Sequence, residues 1–209
     1  SAASDVYKRQ LMHTYDRNYF KIALPAALEG LFMILLASTD LIMVGALGAL
    51  SIAAVSIFMQ PRLILLCFSR SLASSVTLLV SKMAGAGDTN GTADIMKKSL
   101  TLCAIFMGLL HILFYIFLDD IFYLMGANDE YMAEAMAYGP IALAAVYVTS
   151  LTLILQAVQL GYGRTSVIMK TNVCGNVVNL ALNALLIFGF GPIPSLGVTG
   201  AAIGTLAST

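Results

Sequence analysis

The chain has 209 residues, of which 59% are hydrophobic and only 11% are charged, and its formal net charge is zero. With a mean hydropathy of +0.89, a chain of this length has more apolar surface than a water-soluble fold can bury, so most of it should face lipid. The zero net charge argues against a nucleic-acid-binding surface, so no nucleic-acid partner is expected.

Apolar runs of membrane-spanning length follow one another along almost the whole chain. A bilayer core takes roughly 20 apolar residues per helix, so five or six spans nearly exhaust the sequence. We therefore predict an all-α, polytopic membrane helix bundle of about six transmembrane helices. The predicted spans lie at about 20–47, 51–82, 96–126, 131–161 and 165–190, and a sixth, expected to be truncated, runs from about 196 to 209. Residues 1–18 are interpreted as a polar cytoplasmic leader, non-native in part, since this segment lacks a Met and any apolar period.

The distribution of basic residues predicts the orientation of these spans, because cytoplasmic loops carry an excess of Lys and Arg. Nine of the eleven precede the first span or flank the second and fourth connections: Lys8, Arg9, Arg17, Lys21, Lys82, Lys97, Lys98, Arg164 and Lys170. The third connection instead carries acids, from Asp119 to Glu134. We predict a multi-pass protein of the plasma membrane whose amino terminus is cytoplasmic.

Four charged residues lie well inside the first two predicted spans, away from their ends. Glu29 and Asp40 are in the first span, and Arg62 and Arg70 are in the second. A charge at such depth in the membrane has a high free-energy cost, so it normally faces protein or a water-filled cavity. Such residues are therefore functional candidates. A lone carboxylate in such a cavity has its charged form disfavoured, so Asp40 should hold a proton or a cation until something replaces it.

Uncharged polar side chains complete the predicted cavity. On the fifth span Asn176, Asn179 and Asn183 form a stripe, and Gln60 and Tyr138 add polarity to the second and fourth spans. Carboxamides offer both donors and acceptors without a charge, so opposite a carboxylate they would hold a small cation or the hydrogen bonds of a protonated acid. We predict that Glu29, Gln60, Arg70, Tyr138 and Asn176 line the cavity.

Structural interpretations of the same residues remain open. Asp40 would pair with Arg62, and Glu29 with Arg70, since the first two helices are antiparallel neighbours. The Asn stripe would then serve only to hydrogen-bond neighbouring helices to one another. The sequence has no nucleotide-binding GxxxxGK[ST], no HExxH, no GxSxG and no Cys or His cluster with metal spacing. We therefore expect no enzyme, no cofactor and no metal beyond a Na⁺ ion at Asp40.

Several separated motifs resemble the multidrug and toxic compound extrusion (MATE) transporters, in the same order. "ALPAALEGLFMILLASTDLIMVGALGALSIAAVS" resembles their first helix and turn, and "SKMAGAGDTNGTADIMKKSL" is similar to their second connection. "LQAVQLGYGRTSVIMKTNVCGNVVNLALNALLIFGFG" is similar to their fourth and fifth helices, and "GVTGAAIGTLAS" to the start of the sixth. The resemblance covers residues 19–209.

The resemblance implies a twelve-helix antiporter of two six-helix lobes, with residues 19–209 forming the amino-terminal lobe and a carboxy-terminal lobe as its partner. It implies export of small organic, cationic compounds across a lipid bilayer in exchange for H⁺ or Na⁺. The coupling cation would bind at Asp40 with Asn179, Asn183 and Thr205, beside the fourth-helix Tyr138. Asn183 stands where some branches of the family have an acid. The alternatives are a lipid or lipid-linked precursor flippase of the same fold group, and a non-transporting membrane assembly subunit.

Overall fold

The computed structural model describes residues 23–24, 27–28, 30–31, 34–35, 38–191 and 194–209. Helix α1 is helical at every described residue from 23 onwards and continuously from 38 to 45. Seven further helices follow it: α2 (Ala49–Ile57), α3 (Met59–Gly85), α4 (Thr89–Ile116), α5 (Leu118–Leu124), α6 (Asp129–Gly161), α7 (Thr165–Phe188) and α8 (Gly197–Ser208). No β-strand occurs among the described residues. The predicted all-α class is therefore confirmed.

Four stretches in the described part of the chain are long and apolar enough to cross a membrane. They are Ala49–Gly85, which comprises α2 and α3, and the helices Thr89–Ile116, Asp129–Gly161 and Thr165–Phe188. Helix α8 is also apolar but has only 12 residues. These stretches overlap the second to fifth predicted spans, although α4 ends at Ile116 and the third predicted span, to 126, is broken at Phe117 between α4 and α5. The chain forms a polytopic membrane bundle.

The second predicted span is broken into α2 and α3 at Phe58. Pro61 causes the break, because its ring nitrogen carries no hydrogen for the carbonyl of Ile57, four residues earlier. The helical pattern resumes at once, since the N–H of Arg62 donates to the Phe58 carbonyl at 3.0 Å. The span is therefore interrupted at one residue and continues as α3.

Helix α4 begins at Thr89, earlier than the apolar run that predicted a start near 96. Gly87, with a φ of 72°, ends α3, and the carboxylate of Asp88 then caps α4 by accepting from Gly91 N at 2.8 Å. A left-handed residue and an N-cap are strong helix boundaries. Hydropathy misses the first two turns of α4 because they are polar and project beyond the lipid-facing part of the helix.

Helix α6 is the central helix of the bundle and packs against α2, α3, α4, α7 and α8. The largest apolar core lies between α3, α4 and α6 and includes Leu65, Val76, Met107 and Ile154, each at most 1% exposed. A second, smaller apolar cluster joins the end of α1 to α2, α7 and α8: Val44, Val55, Ile187, Val198 and Ala201. This second cluster places α1 against α7.

Helix α4 shows how the bundle meets the lipid. Cys103, Met107 and His111, spaced four residues apart, are its buried face. Leu102, Ile105, Leu109 and Ile116 project from the other faces and are each more than half exposed. An apolar helix that exposes its larger hydrophobic side chains is a membrane helix, because in water that surface would be buried.

Candidate functional site

Asp40 lies in the continuous part of α1, and the polar side chains around it come from α7. Its side chain is half-buried. The preceding hydroxyls of Ser38 and Thr39 point back along their own helix, where they donate to the Ile34 and Leu35 carbonyls at 2.9 Å each. The carboxyl group of Asp40 instead contacts a partner 143 residues away in the sequence, on α7.

That partner is Asn183, which is only 1% exposed. Its amide nitrogen Nδ2 donates to Asp40 Oδ1 at 2.9 Å and to Asn179 Oδ1 at 3.2 Å. Asn179 and Asn183 are four residues apart on one helix, so their side chains lie one above the other on the same face. The two carboxamides and the carboxylate therefore form one hydrogen-bonded group, which we call the Asp40 cluster (Asp40, Asn179, Asn183).

The carboxamide of Asn179 can lie in this cluster in two orientations. With its nitrogen towards Asp40 it donates to Oδ1 at 3.1 Å and Oδ2 at 3.2 Å, while its oxygen accepts from Ser208 Oγ at 3.1 Å and Thr205 N at 3.3 Å. With its oxygen towards Asp40 it accepts from Asn183 Nδ2. The first orientation satisfies both ends of the amide, because in the second the oxygen of Asn179 faces the Asp40 carboxylate and its nitrogen faces the N–H of Thr205.

The oxygen Oδ1 of Asn183 is buried and has no hydrogen-bond partner among the described residues. It lies against Gly204 of α8, where a Cβ atom would overlap with it. Buried acceptors are nearly always satisfied, so an unpartnered one next to a carboxylate is a notable exception. Carboxylate and amide oxygens are the ligands that hard cations prefer. The cluster can thus accept a proton or an alkali cation.

Thr205 joins the cluster through its backbone rather than its side chain. Its hydroxyl donates to the Ala201 carbonyl of its own helix at 2.9 Å, and its N–H faces Asn179. Ser208, whose hydroxyl reaches Asn179, was not predicted from the sequence. The available signal was its spacing of three residues from Thr205, which puts the two on one face of α8.

A second polar contact lies on the same face of α7. Asn172, which the sequence stripe omitted, is four residues before Asn176 and accepts a hydrogen bond from Gln156 Nε2 of α6 at 2.7 Å. Asn172 and Asn176 are both half-buried. The amide stripe of α7 therefore extends from Asn172 to Asn183, a distance of about 16 Å along the helix axis.

The remaining predicted cavity residues are scattered. Tyr138 packs edge-on against Phe58 with 5.8 Å between ring centroids, and it touches both apolar clusters. It is also close enough to Asp40 and Arg62 to interact electrostatically with both.

Gln60 is exposed on α3 and does not join the Asp40 cluster. Arg70 lies on a separate cavity of α3. Glu29 is outside the described residues.

The alternative ion pair between Asp40 and Arg62 is not formed. Arg62 influences Asp40 electrostatically, but the two do not approach within the 4.0 Å of a salt bridge. In the described ranges the one ion pair joins Lys98 to Asp94 at 2.7 Å on the surface of α4. No three His, Cys, Asp or Glu side chains in the described part of the chain come together as a metal site would require.

Comparisons with known proteins identify the family to which the chain belongs. Residues 25–185 match the model of the MatE family. The chain is 28% identical to the probable multidrug resistance protein NorM of Rhizobium meliloti (strain 1021), over 92% of this chain and 41% of that protein. It is 29% identical to the FAD transporter of Shewanella oneidensis, over 81% of this chain and 37% of that one.

The fold is also similar to that of a solved transporter. A crystal structure of a mutant of the Vibrio cholerae MATE transporter VcmN superimposes with a TM-score of 0.85 at 23% sequence identity. The match covers 92% of this chain and 43% of that one. The chain thus spans about two fifths of the length of the relatives that it matches.

Proposed function

Because the chain belongs to the MatE family of membrane transporters, we propose that it is the amino-terminal lobe of a secondary multidrug antiporter that exports small organic, cationic compounds in exchange for H⁺ or Na⁺. The Asp40 cluster carries this proposal, since it places one carboxylate against the carboxamides of α7 and leaves an amide acceptor unpartnered in the described part of the chain. The names of the relatives, which include multidrug resistance proteins and an FAD transporter, support a transport role with a variable substrate.

The cluster would act as a switch whose state depends on whether a proton or Na⁺ is bound. With a proton or Na⁺ bound, Asp40 is neutralised and the helices around it can pack closely. Without a bound ion, burial of the Asp40 charge has a high free-energy cost, so the site favours water or a cationic compound. Transport follows if the ion binds the inward-facing and outward-facing states with different affinity, because a ligand shifts a conformational equilibrium only by that difference.

The substitution Asp40→Asn in the full-length protein tests the proposal. An amide resembles the neutral acid but cannot release a proton, so the variant should fold and should lose ion-driven export. Efflux of a cationic dye from proteoliposomes with an imposed ion gradient, measured beside a thermal melt, is the readout. Gradients of H⁺ and of Na⁺ imposed separately identify the coupling ion. A stable Asp40→Asn protein that exports at the wild-type rate would remove Asp40 from the mechanism.

The orientation belongs to the same proposal, with a cytoplasmic amino terminus in the plasma membrane. In intact cells a cysteine introduced by Asp129→Cys, at the start of α6, should react with an impermeant thiol reagent, because that connection is predicted to be external. One introduced by Thr89→Cys, at the start of α4, should react only after permeabilisation. Both changes belong in a background in which Cys67, Cys103 and Cys174 are replaced by Ser. Labelling of Thr89→Cys in sealed cells would overturn the orientation.

A further inference from the structure

A cavity of about 620 Å³ opens along one face of α3 and does not involve the Asp40 cluster. Its described lining residues are Leu63, Leu66, Cys67, Arg70, Ser71 and Ser74. Their spacing of three and four residues is that of a single helix face. Cavities of roughly 300 to 1,000 Å³ are typical of sites for small organic ligands.

This face has an apolar half and a polar half. Leu63 and Leu66 lie at one end, and Arg70 and Ser74 lie at the other. Ser71 donates its hydroxyl hydrogen to the Cys67 carbonyl at 3.0 Å. Ser74 makes no hydrogen bond with other described residues, so its hydroxyl is available to a ligand. The face is therefore amphiphilic, with a cationic end.

Arg70 is exposed in the middle of a membrane span. It is twelve residues before Lys82, which lies in the last turn of α3, and this places it about 18 Å along the helix from that end. A hydrocarbon core is about 30 Å thick, so Arg70 is near its centre. No carboxylate of the described residues lies within 4.0 Å of its guanidinium group. A charge at this depth needs a counter-charge or water.

We propose that Arg70 receives an anionic group of the exported compound, so that the preferred substrates carry a carboxylate in addition to a cationic group. The apolar body of such a compound packs on Leu63 and Leu66, its carboxylate takes a forked pair of hydrogen bonds from the guanidinium group, and Ser74 donates a further one. The inference rests on the proposed function and narrows its substrate class from cations to zwitterions.

The test compares two dyes with the same cationic ring system, a rhodamine with a free carboxylate and its methyl ester. The full-length protein is reconstituted in phosphatidylcholine liposomes and dye efflux is driven by an imposed ion gradient. The wild type should export the free acid faster than the ester. Arg70→Gln should slow export of the free acid about tenfold, as expected for loss of charged hydrogen bonds, and leave the ester within about twofold. Arg70→Lys should lie between the two.

Lys82→Gln is the matched control, since it removes one positive charge from the same helix outside the cavity. It should leave the ratio of the two export rates unchanged. An equal fall for both dyes in Arg70→Gln, or an unchanged ratio, would overturn the inference while the transport function stands. So would recovery of both rates in the double change Glu29→Gln/Arg70→Gln, since Arg70 would then be the partner of Glu29.

A binding measurement distinguishes a failure of this inference from a failure of the proposed transport function. Fluorescence polarisation with the detergent-solubilised full-length protein should show about tenfold tighter binding of the free acid than of the ester, and equal binding in Arg70→Gln. If the wild type binds the free acid in this way but exports neither dye, the transport proposal fails and the anionic subsite stands. Loss of the preference when phosphatidylglycerol is added would assign Arg70 to lipid and overturn the inference.

Discussion

Two buried polar contacts in the described part of the bundle, the Ser69–Ser150 pair and the Asp40 cluster, differ in how completely they are hydrogen-bonded. In the core between α3, α4 and α6, Ser69 donates to Ser150 at 2.8 Å and Ser150 donates to the Val146 carbonyl at 2.8 Å. Both serines are fully buried. In the Asp40 cluster, by contrast, Asn183 Oδ1 has no partner within the described residues.

The difference shows how one fold holds a fixed scaffold and a changeable site. A fully paired contact has a single favourable arrangement, so it fixes α3 against α6. A group with an unpaired acceptor and a carboxylate has several arrangements of similar energy, depending on whether a proton or cation is present. The proposed ion switch needs the second kind of region, because it must bind and release an ion without unfolding its surroundings.

The largest expected effect comes from Asn183→Asp, which replaces the donor 2.9 Å from Asp40 with a second carboxylate. Two unpaired carboxylates at that distance should cost about 3 kcal/mol of stability in choline chloride at neutral pH. Na⁺, or a fall in pH that lets the pair share one proton, should restore it. Thermal melts with and without Na⁺, at neutral and acidic pH, measure the change.

The double change Asp40→Asn/Asn183→Asp is the control for that prediction, because it exchanges the two groups and keeps one acid and one amide. It should melt close to the wild type in the absence of Na⁺. If Asn183→Asp alone melts like the wild type without Na⁺ at neutral pH, the two side chains do not face each other and the cluster is wrongly assigned.

A smaller effect is expected from Gly204→Ala, since its new methyl group would overlap with Asn183 Oδ1. Overpacking typically costs about 1–3 kcal/mol. Displacement of Asn183 should also slow transport about tenfold. Gly200→Ala is the matched control: its methyl group meets the backbone of Leu186 instead, so it should lower stability similarly and spare transport. Equal transport by the two variants at matched stability would contradict a role for the Asn183 position.

The smallest effect is expected in the scaffold. Ser69→Ala removes the donor to Ser150 and should cost about 0.6–1 kcal/mol, the usual value of such a bond between membrane helices. Its transport rate should not change. The double change Ser69→Ala/Ser150→Ala, compared with the two single changes, gives the coupling energy. A transport defect without a stability defect would mean that this core also moves during transport.

Much of the fold could be predicted from the sequence, because the hydropathy of a segment indicates whether lipid or water surrounds it. The length of each apolar run predicts the second to fifth spans, and the helix-breaking glycines between the runs predict the connections. The boundaries were less accurate: the polar start of α4 at Thr89 depends on the Asp88 cap, and the break at Phe58 depends on a proline three residues later. Both are local backbone effects that hydropathy does not measure.

The candidate site was predicted less evenly. Asp40, Asn179 and Asn183 were selected together, and the structure brings them into contact. The family resemblance implies Thr205, and its backbone N–H is the group that faces Asn179, while its hydroxyl donates to Ala201. Ser208 and Asn172 were not selected. Small polar side chains are common in membrane helices, and only a neighbouring helix decides which of them meet a functional group.

The sequence by itself determined that the chain lies in a membrane, that it crosses as helices, and that α1 and α7 each present polar groups on one face. The helical repeat fixes which residues share a face, and the bilayer makes charged groups on that face costly. Only the tertiary structure decided that Asp40 meets Asn183 rather than Arg62 and that Gly204 closes on the pair. The physical reason is that periodicity acts within one helix, whereas contacts between residues 143 positions apart depend on how the helices pack.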